Sequence, residues 1–117
     1  MKYLMLVCVA EDVPVSPAES AEMERATTAW VAEMEGRGVR VTGDALRSVS
    51  DATTVRVRQD EVLVSDGPFA ETKEQIGGFD ILECTDLDEA IEVAARHPVA
   101  RIGTLELRPF WLEEDEN

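Results

Sequence analysis

The chain has 117 residues and a formal net charge of −14, from 25 acidic and 11 basic residues. This length predicts one domain over residues 1–117 with a single modest core. So acidic a surface repels nucleic acid and anionic membranes, and we expect neither as a partner. Cys8 and Cys84 stand apart in strand-like apolar runs, which favours free thiols in a reducing, cytoplasmic setting.

The apolar periodicity predicts six strands and two helices. Ser16 followed by Pro17 and Glu19 is typical of a capped helix start. Two alternating runs on either side of residues 59–60 predict a β-hairpin. The predicted elements are, in order, strand 3–9, helix 17–35, strand 39–43, strands 53–58 and 61–65, strand 79–84, a helix that starts at 85–89 and stops at 96–98, and strand 102–109.

The order of these elements, β-α-β-(hairpin)-β-α-β, predicts an α+β fold of the ferredoxin-like type. In that fold both helices cover one face of an antiparallel sheet. Because the other face then lacks a cover, we expect a homodimer packed sheet to sheet. Gly43, inside the second strand, indicates a bulge or a close approach of the backbone.

One stretch between the hairpin and the next strand, residues 66–79, combines turn residues with charges. Asp66-Gly67-Pro68 predicts a turn in which Gly67 adopts a positive φ. A polar cluster follows and ends at two glycines just before a strand. The candidate residues of this stretch are Asp66, Lys73 and Glu74 for catalysis and Phe69, Glu71 and Thr72 for substrate binding.

Each of these residues has a structural and a functional interpretation, and both stay open. Asp66 either accepts hydrogen bonds within its own turn or acts as a general base at a pocket mouth. Lys73 either forms exposed ion pairs or binds a substrate carboxylate or phenolate, with Glu74 or Asp66 taking a proton. Phe69 either plugs the loop from beneath or stacks on a ligand.

Two further candidates lie outside that stretch. His97 precedes Pro98 at a predicted helix end, where a protonated imidazole either caps the helix or takes part in acid–base catalysis. Trp30 lies on the apolar face of the first helix and either fills the core or lines an apolar pocket. No spacing typical of metal ligands, phosphate loops or dinucleotide sites is found, so no metal or cofactor is predicted.

The run Asp66–Glu74, followed by Gly77-Gly78-Phe79, is similar to the signature of DGPF-domain proteins, a branch of the YCII-related family. His97-Pro98 and Glu106–Pro109 are also similar, so the resemblance spans nearly the whole chain. It implies a dimeric α+β barrel. Relatives suspected of enzymatic activity carry a histidine in the first helix together with an aspartate. The first helix of this chain has no histidine, so that pair is not carried over.

The resemblance leaves two functions open. In the first, the protein binds or transforms a small organic molecule in a pocket beside residues 66–79, since some relatives resemble a dehydrochlorinase of a chlorinated hydroxyquinol. In the second, it is a regulatory or interaction protein linked to an extracytoplasmic-function sigma factor. The first predicts a cavity with Asp66, Lys73 or Glu74 facing inward. The second predicts those side chains on a convex surface and no cavity of about 300 Å³.

Overall fold

The computed structural model describes residues 1–112. Its elements are, in chain order, β1 (Lys2–Val9), α1 (Pro17–Gly36), β2 (Arg40–Ala45), a 3₁₀ turn (Val49–Asp51), β3 (Thr53–Arg58), β4 (Glu61–Asp66), β5 (Gln75–Glu83), α2 (Leu87–Ala95), a second 3₁₀ turn (Pro98–Arg101) and β6 (Thr104–Pro109).

Four of the strands form an antiparallel sheet in the order β2-β5-β1-β6. Among residues 1–112, the hairpin strands β3 and β4 pair only with each other and form a separate sheet. Without the hairpin, the order of the core strands is that of the ferredoxin-like fold. The predicted α+β architecture is therefore confirmed, with the hairpin inserted between the second and third core strands.

The core lies between the sheet and the two helices. Along β1, Tyr3 and Met5 are buried, whereas Leu4 and Leu6 on the opposite face stay partly exposed. Because side chains alternate across a strand, this separates a face covered by helices from an open one. The core cluster joins strand residues with residues of both helices, namely Tyr3, Met5, Trp30, Met34, Val39, Leu82, Cys84, Ala90, Val93 and Ala94.

The helices begin where the capping signals predict. The amide of Glu19 donates to the Ser16 hydroxyl at 3.1 Å, and the Glu19 carboxylate accepts in return from the Ser16 amide. Asp86 caps α2 by accepting from the Glu89 amide at 2.9 Å. Within residues 1–112, neither helix combines the length and apolarity needed to cross a membrane.

The strand predicted from Phe79 begins four residues earlier, at Gln75. Gln75 and Ile76 pair with the end of β1 across a bulge, and Gly78 pairs with both β1 and β2. Pairing on both sides satisfies the backbone hydrogen bonds of this segment, which outweighs the poor strand preference of glycine. The two glycines are thus part of the sheet rather than the end of a loop.

The hairpin projects from the body of the molecule. Gln59 and Asp60 have φ values of 52° and 65°, as a two-residue hairpin turn requires. One face of the hairpin consists of four valines that are 56–64 % exposed, namely Val55, Val57, Val62 and Val64. The radius of gyration is 16.5 Å, against about 13 Å for a compact domain of this length. The chain therefore leaves apolar surface uncovered.

Candidate functional site

A cavity of about 290 Å³ lies between α1 and the sheet. Its wall is largely apolar and includes Val7, Val31 and Val99. Gly77, Gly78 and Phe79 also border it, so the end of the stretch 66–79 reaches this cavity. Arg40, Asp80 and His97 also line the cavity. An apolar pocket with a few convergent polar groups is the usual form of a small-molecule site.

Arg40 and Asp80 form an ion pair in this cavity. The guanidinium Nε donates to Asp80 Oδ1 at 2.7 Å, and the two side chains are 11 % and 8 % exposed. A second guanidinium nitrogen, Nη1, donates to Glu35 at 3.2 Å. Burial raises the pKa of the Asp80 carboxyl above its usual range, while the bond and charge of Arg40 act in the opposite direction.

Gly43 makes room for this ion pair. A Cβ atom at Gly43 would lie 2.8 Å from Arg40 Nη2 and 2.5 Å from the backbone oxygen of Phe79, and Asp80 Oδ1 is nearer still. No side chain fits at these distances. The sequence prediction of a close backbone approach at Gly43 is therefore confirmed, and what approaches includes a buried carboxylate.

His97 is held in the cavity as a neutral imidazole. Its Nδ1 accepts a hydrogen bond from the Val99 amide at 3.1 Å, which makes it the N-cap of the second 3₁₀ turn. Burial lowers the pKa of His97 to about 4. The expectation of a protonated imidazole capping the helix end is therefore wrong, because α2 ends at Ala95 and the ring lies inside the protein.

The tautomer of His97 follows from this hydrogen bond. Since Nδ1 is an acceptor, the proton of the neutral ring lies on Nε2. Nε2 makes no hydrogen bond within residues 1–112, where every buried side-chain nitrogen and oxygen has a partner. Nε2 is therefore accessible, and at neutral pH it is a hydrogen-bond donor rather than a base.

Trp30 positions the His97 ring. The indole is 3 % exposed, and its N–H donates to the Val93 carbonyl of α2 at 3.0 Å. The Trp30 and His97 rings meet edge to face, with centroids 4.7 Å apart, a favourable geometry for aromatic pairs. The sequence left open whether Trp30 fills the core or lines a pocket. In the structure it does both.

The turn at Asp66 is held together by other groups. The Gly67 amide donates to the Ala52 carbonyl at 2.8 Å, and the Thr54 hydroxyl donates to the Gly67 carbonyl at 2.8 Å. Gly67 has the predicted positive φ, 94°. Asp66 is exposed at the end of β4, and its carboxylate accepts no hydrogen bond within residues 1–112.

The charged cluster after this turn faces outward. Glu71, Thr72 and Lys73 are exposed and line a shallow depression of about 300 Å³ beside Glu11 and Asp12. The Thr72 hydroxyl bonds to the Glu74 carbonyl, so it serves the loop backbone. The Glu74 carboxylate accepts from the Thr104 hydroxyl at 2.7 Å and is partly buried against β6.

Phe69 does not plug the loop. Its side chain is 79 % exposed at the rim of an open groove of about 630 Å³ lined also by Leu46, Pro68 and Ile76. The expectation of an apolar plug is wrong, because the Phe69 side chain is exposed and is not part of the buried core cluster. The groove is wide and shallow, so Phe69 contacts solvent.

The eight predicted site residues therefore separate into two regions. Trp30 and His97 meet in the helix–sheet cavity. The other six lie outside it, on residues 66–74, which run from the last residue of β4 to the start of β5 and are called the connector below; they are Asp66, Phe69, Glu71, Thr72, Lys73 and Glu74. Arg40 and Asp80, the charged pair of the cavity, were not predicted as site residues. Within residues 1–112 no group of three or more His, Cys, Asp or Glu side chains could hold a metal ion.

Comparison with known proteins gives a family and a fold. A model of the YCII-related domain matches residues 1–113. An uncharacterised protein of Rhizobium meliloti (strain 1021) is 35 % identical over 106 aligned residues, which take in 76 % of this chain and 86 % of that protein.

A solved structure has a similar fold over its whole length. It is the 5-chloro-2-hydroxyhydroquinone dehydrochlorinase from Burkholderia phenoliruptrix AC1100, in complex with 2,5-dihydroxybenzoquinone. The TM-score is 0.53, with 15 % identity and complete coverage of both chains. At that identity the likeness establishes the fold alone. The domain match over nearly all of the sequence shows that the chain belongs to the YCII-related family.

Proposed function

We propose that the protein binds a small organic molecule in the helix–sheet cavity and moves a proton on it. The observation that carries this proposal is that Arg40, Asp80 and the neutral His97 line one largely apolar cavity. Burial acts differently on the two titratable groups. It raises the pKa of the Asp80 carboxyl, and it keeps the His97 imidazole uncharged. Such a division is common where one residue accepts a proton and another donates a hydrogen bond.

The proposed chemistry is acid–base. His97 Nε2–H donates a hydrogen bond to a carbonyl or phenolic oxygen of the ligand. Asp80 accepts one proton from the ligand, and the electron pair left behind is stabilised on that oxygen by His97 and by Arg40. Return of the proton from Asp80 to another atom of the ligand completes an isomerisation. If the ligand carries a leaving group beside the deprotonated carbon, the electron pair instead expels that group, which departs with the proton from Asp80, and the reaction is an elimination. The dehydrochlorinase with a similar fold acts on a small ring compound, which supports a ligand of this size.

A binding screen tests the proposal. Ligand-observed NMR with a panel of small phenols, ketones and aromatic amides is expected to find binders that His97→Asn or Asp80→Asn weakens by about tenfold or more. Lys73→Gln, in the exposed cluster, is the matched control and leaves binding unchanged. Absence of any binder, or binding that depends on Lys73 and not on Asp80, would contradict the proposal. Neither the family match nor the fold likeness supports the alternative of a partner in a sigma factor pathway.

We also propose that the protein is a homodimer. Two residue pairs of β1 and β5, Leu4 with Ile81 and Leu6 with Phe79, lie on the sheet face that neither helix of the described residues 1–112 covers. Light scattering is expected to give twice the 12.9 kDa mass of one chain. Leu6→Lys should yield the monomer, because it places a charge in an apolar interface. The control Leu87→Lys, on α2, should leave the mass unchanged. A wild-type monomer at micromolar concentration would contradict this proposal.

A further inference from the structure

Three polar atoms of the cavity residues remain available to a ligand. Within residues 1–112, no hydrogen bond is made by His97 Nε2, Arg40 Nη2 or Asp80 Oδ2. In the same residues, every side-chain nitrogen or oxygen that is fully buried does have a hydrogen-bond partner. These three atoms are therefore accessible rather than sealed in the core. They supply two hydrogen-bond donors and one acceptor.

The ionised side chains around these atoms carry no net positive charge. Arg40 carries the positive charge, and it is bonded to two carboxylates, Asp80 and Glu35. His97 adds none, because its ring is neutral at physiological pH. The three ionised side chains thus sum to −1, in a chain whose formal net charge is −14. An anionic ligand would lose its hydration without gaining an unmatched cation.

We propose that this cavity selects an uncharged molecule whose oxygen accepts hydrogen bonds, such as an amide or a ketone, and rejects the matching carboxylate. This inference rests on the proposed function and adds the charge class of its ligand. Asp80 sets the selectivity, since it neutralises Arg40 at close range. Glu35 contributes less, because its side chain is 52 % exposed and its charge is screened by solvent.

Benzamide and benzoate are suitable probes, because they have nearly the same shape and differ in charge. His97 is the only histidine of the chain, so its ring-proton NMR signals report directly on the cavity in the wild type and in each variant below. We expect benzamide to shift these signals at concentrations about tenfold lower than benzoate, a difference of about 1.4 kcal/mol.

Three substitutions identify the source of the preference. Asp80→Asn frees the charge of Arg40 and is expected to raise benzoate affinity relative to benzamide by about tenfold. Glu35→Gln should reduce the affinity ratio of benzamide to benzoate by about threefold. Glu33→Gln is the matched control, since it removes the same charge from a neighbouring position of α1, where the ion-pair partner is Arg96. It should leave the affinity ratio unchanged.

The outcomes separate this inference from the proposed function. Two results would leave small-molecule binding in place but contradict the charge selectivity. One is that benzoate binds as tightly as benzamide, and the other is that Glu33→Gln reduces the affinity ratio as much as Glu35→Gln does. If neither probe shifts the His97 signals at millimolar concentration, the cavity does not accept ring compounds, and both the charge selectivity and the proposed function for such ligands fall. Should Asp80→Asn unfold the protein, Glu35→Gln and its control decide the question.

Discussion

The connector 66–74 and the helix–sheet cavity present opposite relations between charge and burial. The connector concentrates ionisable residues in sequence, yet Glu71 and Lys73 lie in solvent. The cavity draws Arg40, Asp80 and His97 from distant parts of the chain and removes most of their surface from water. In the cavity, burial raises the pKa of Asp80 and lowers the pKa of His97. The comparison teaches that desolvation, and not the local density of charges, distinguishes a candidate site from a solvated turn.

The largest expected effect comes from filling the space at Gly43. Gly43→Ala places a methyl group against the Arg40–Asp80 pair and the Phe79 backbone. We expect the free energy of unfolding in urea to fall by about 3 to 5 kcal/mol, the usual cost of disrupting a buried ion pair. Gly36→Ala is the matched control, since nothing lies within 4 Å of its added Cβ. It should be neutral or stabilise α1 by up to about 1 kcal/mol.

The pH dependence of stability is expected to show the next largest effect. The folded-state pKa of His97 is about 4, below its ordinary value of 6.5. The unfolded chain therefore binds a proton in this range that the folded protein does not, and stability is lost as pH falls from about 7 to 4. The loss due to this ring is about 3 kcal/mol.

His97→Asn removes this titration and keeps a side-chain acceptor for the Val99 amide. The stability of the wild type relative to this variant should decline over the same pH range. Asp80 also titrates, with a raised pKa that acts in the opposite direction, but it is present in both proteins and its contribution cancels to first order. A difference independent of pH would mean that the folded protein protonates His97 as readily as the unfolded chain does.

A smaller effect is expected in the turn that begins the connector. Thr54→Val removes the hydroxyl that bonds to the Gly67 carbonyl, at a cost of about 1 kcal/mol in unfolding free energy. Thermal and urea unfolding measure this directly. If the variant unfolds like the wild type, the hydroxyl does not stabilise the turn.

The smallest effects are expected from the charges of the connector itself. Asp66→Ala and Lys73→Gln should each change the unfolding free energy by less than about 0.5 kcal/mol, as is usual for exposed residues. A loss above about 1 kcal/mol for Asp66→Ala would show that its carboxylate does hold the turn, and would reduce the contrast between the two regions.

The sequence predicted those parts of the fold that depend on local chemistry. Ser16 with Glu19 marked the start of α1, and the glycine of Asp66-Gly67 marked a positive φ. The alternation of the hairpin strands predicted their pairing. Each of these signals lies within a few residues and needs no knowledge of tertiary contacts.

The site was harder to predict, because its residues become special only through burial. Asp80 lies between Phe79 and Ile81, which suggest that the apolar side chains point inward. In the sheet those two residues face the open side, and Asp80 points to the helices with Leu82. Its partner Arg40 comes from another strand. One sequence signal did point to this site. A glycine at position 43, inside a predicted strand, indicated that another group lies too close for a side chain.

Gly43 has a consequence for how this sequence can change over time. Because a methyl group at position 43 would overlap the Asp80 carboxylate and the backbone oxygen of Phe79, position 43 cannot gain a side chain while these groups stay in place. Loss of the carboxylate would in turn leave Arg40 with only its solvent-exposed partner, Glu35. Positions 40, 43 and 80 are therefore coupled, and a relative with a larger residue at 43 is expected to have moved β2 away from the Phe79 backbone and to have lost the Arg40–Asp80 pair with the chemistry proposed for it.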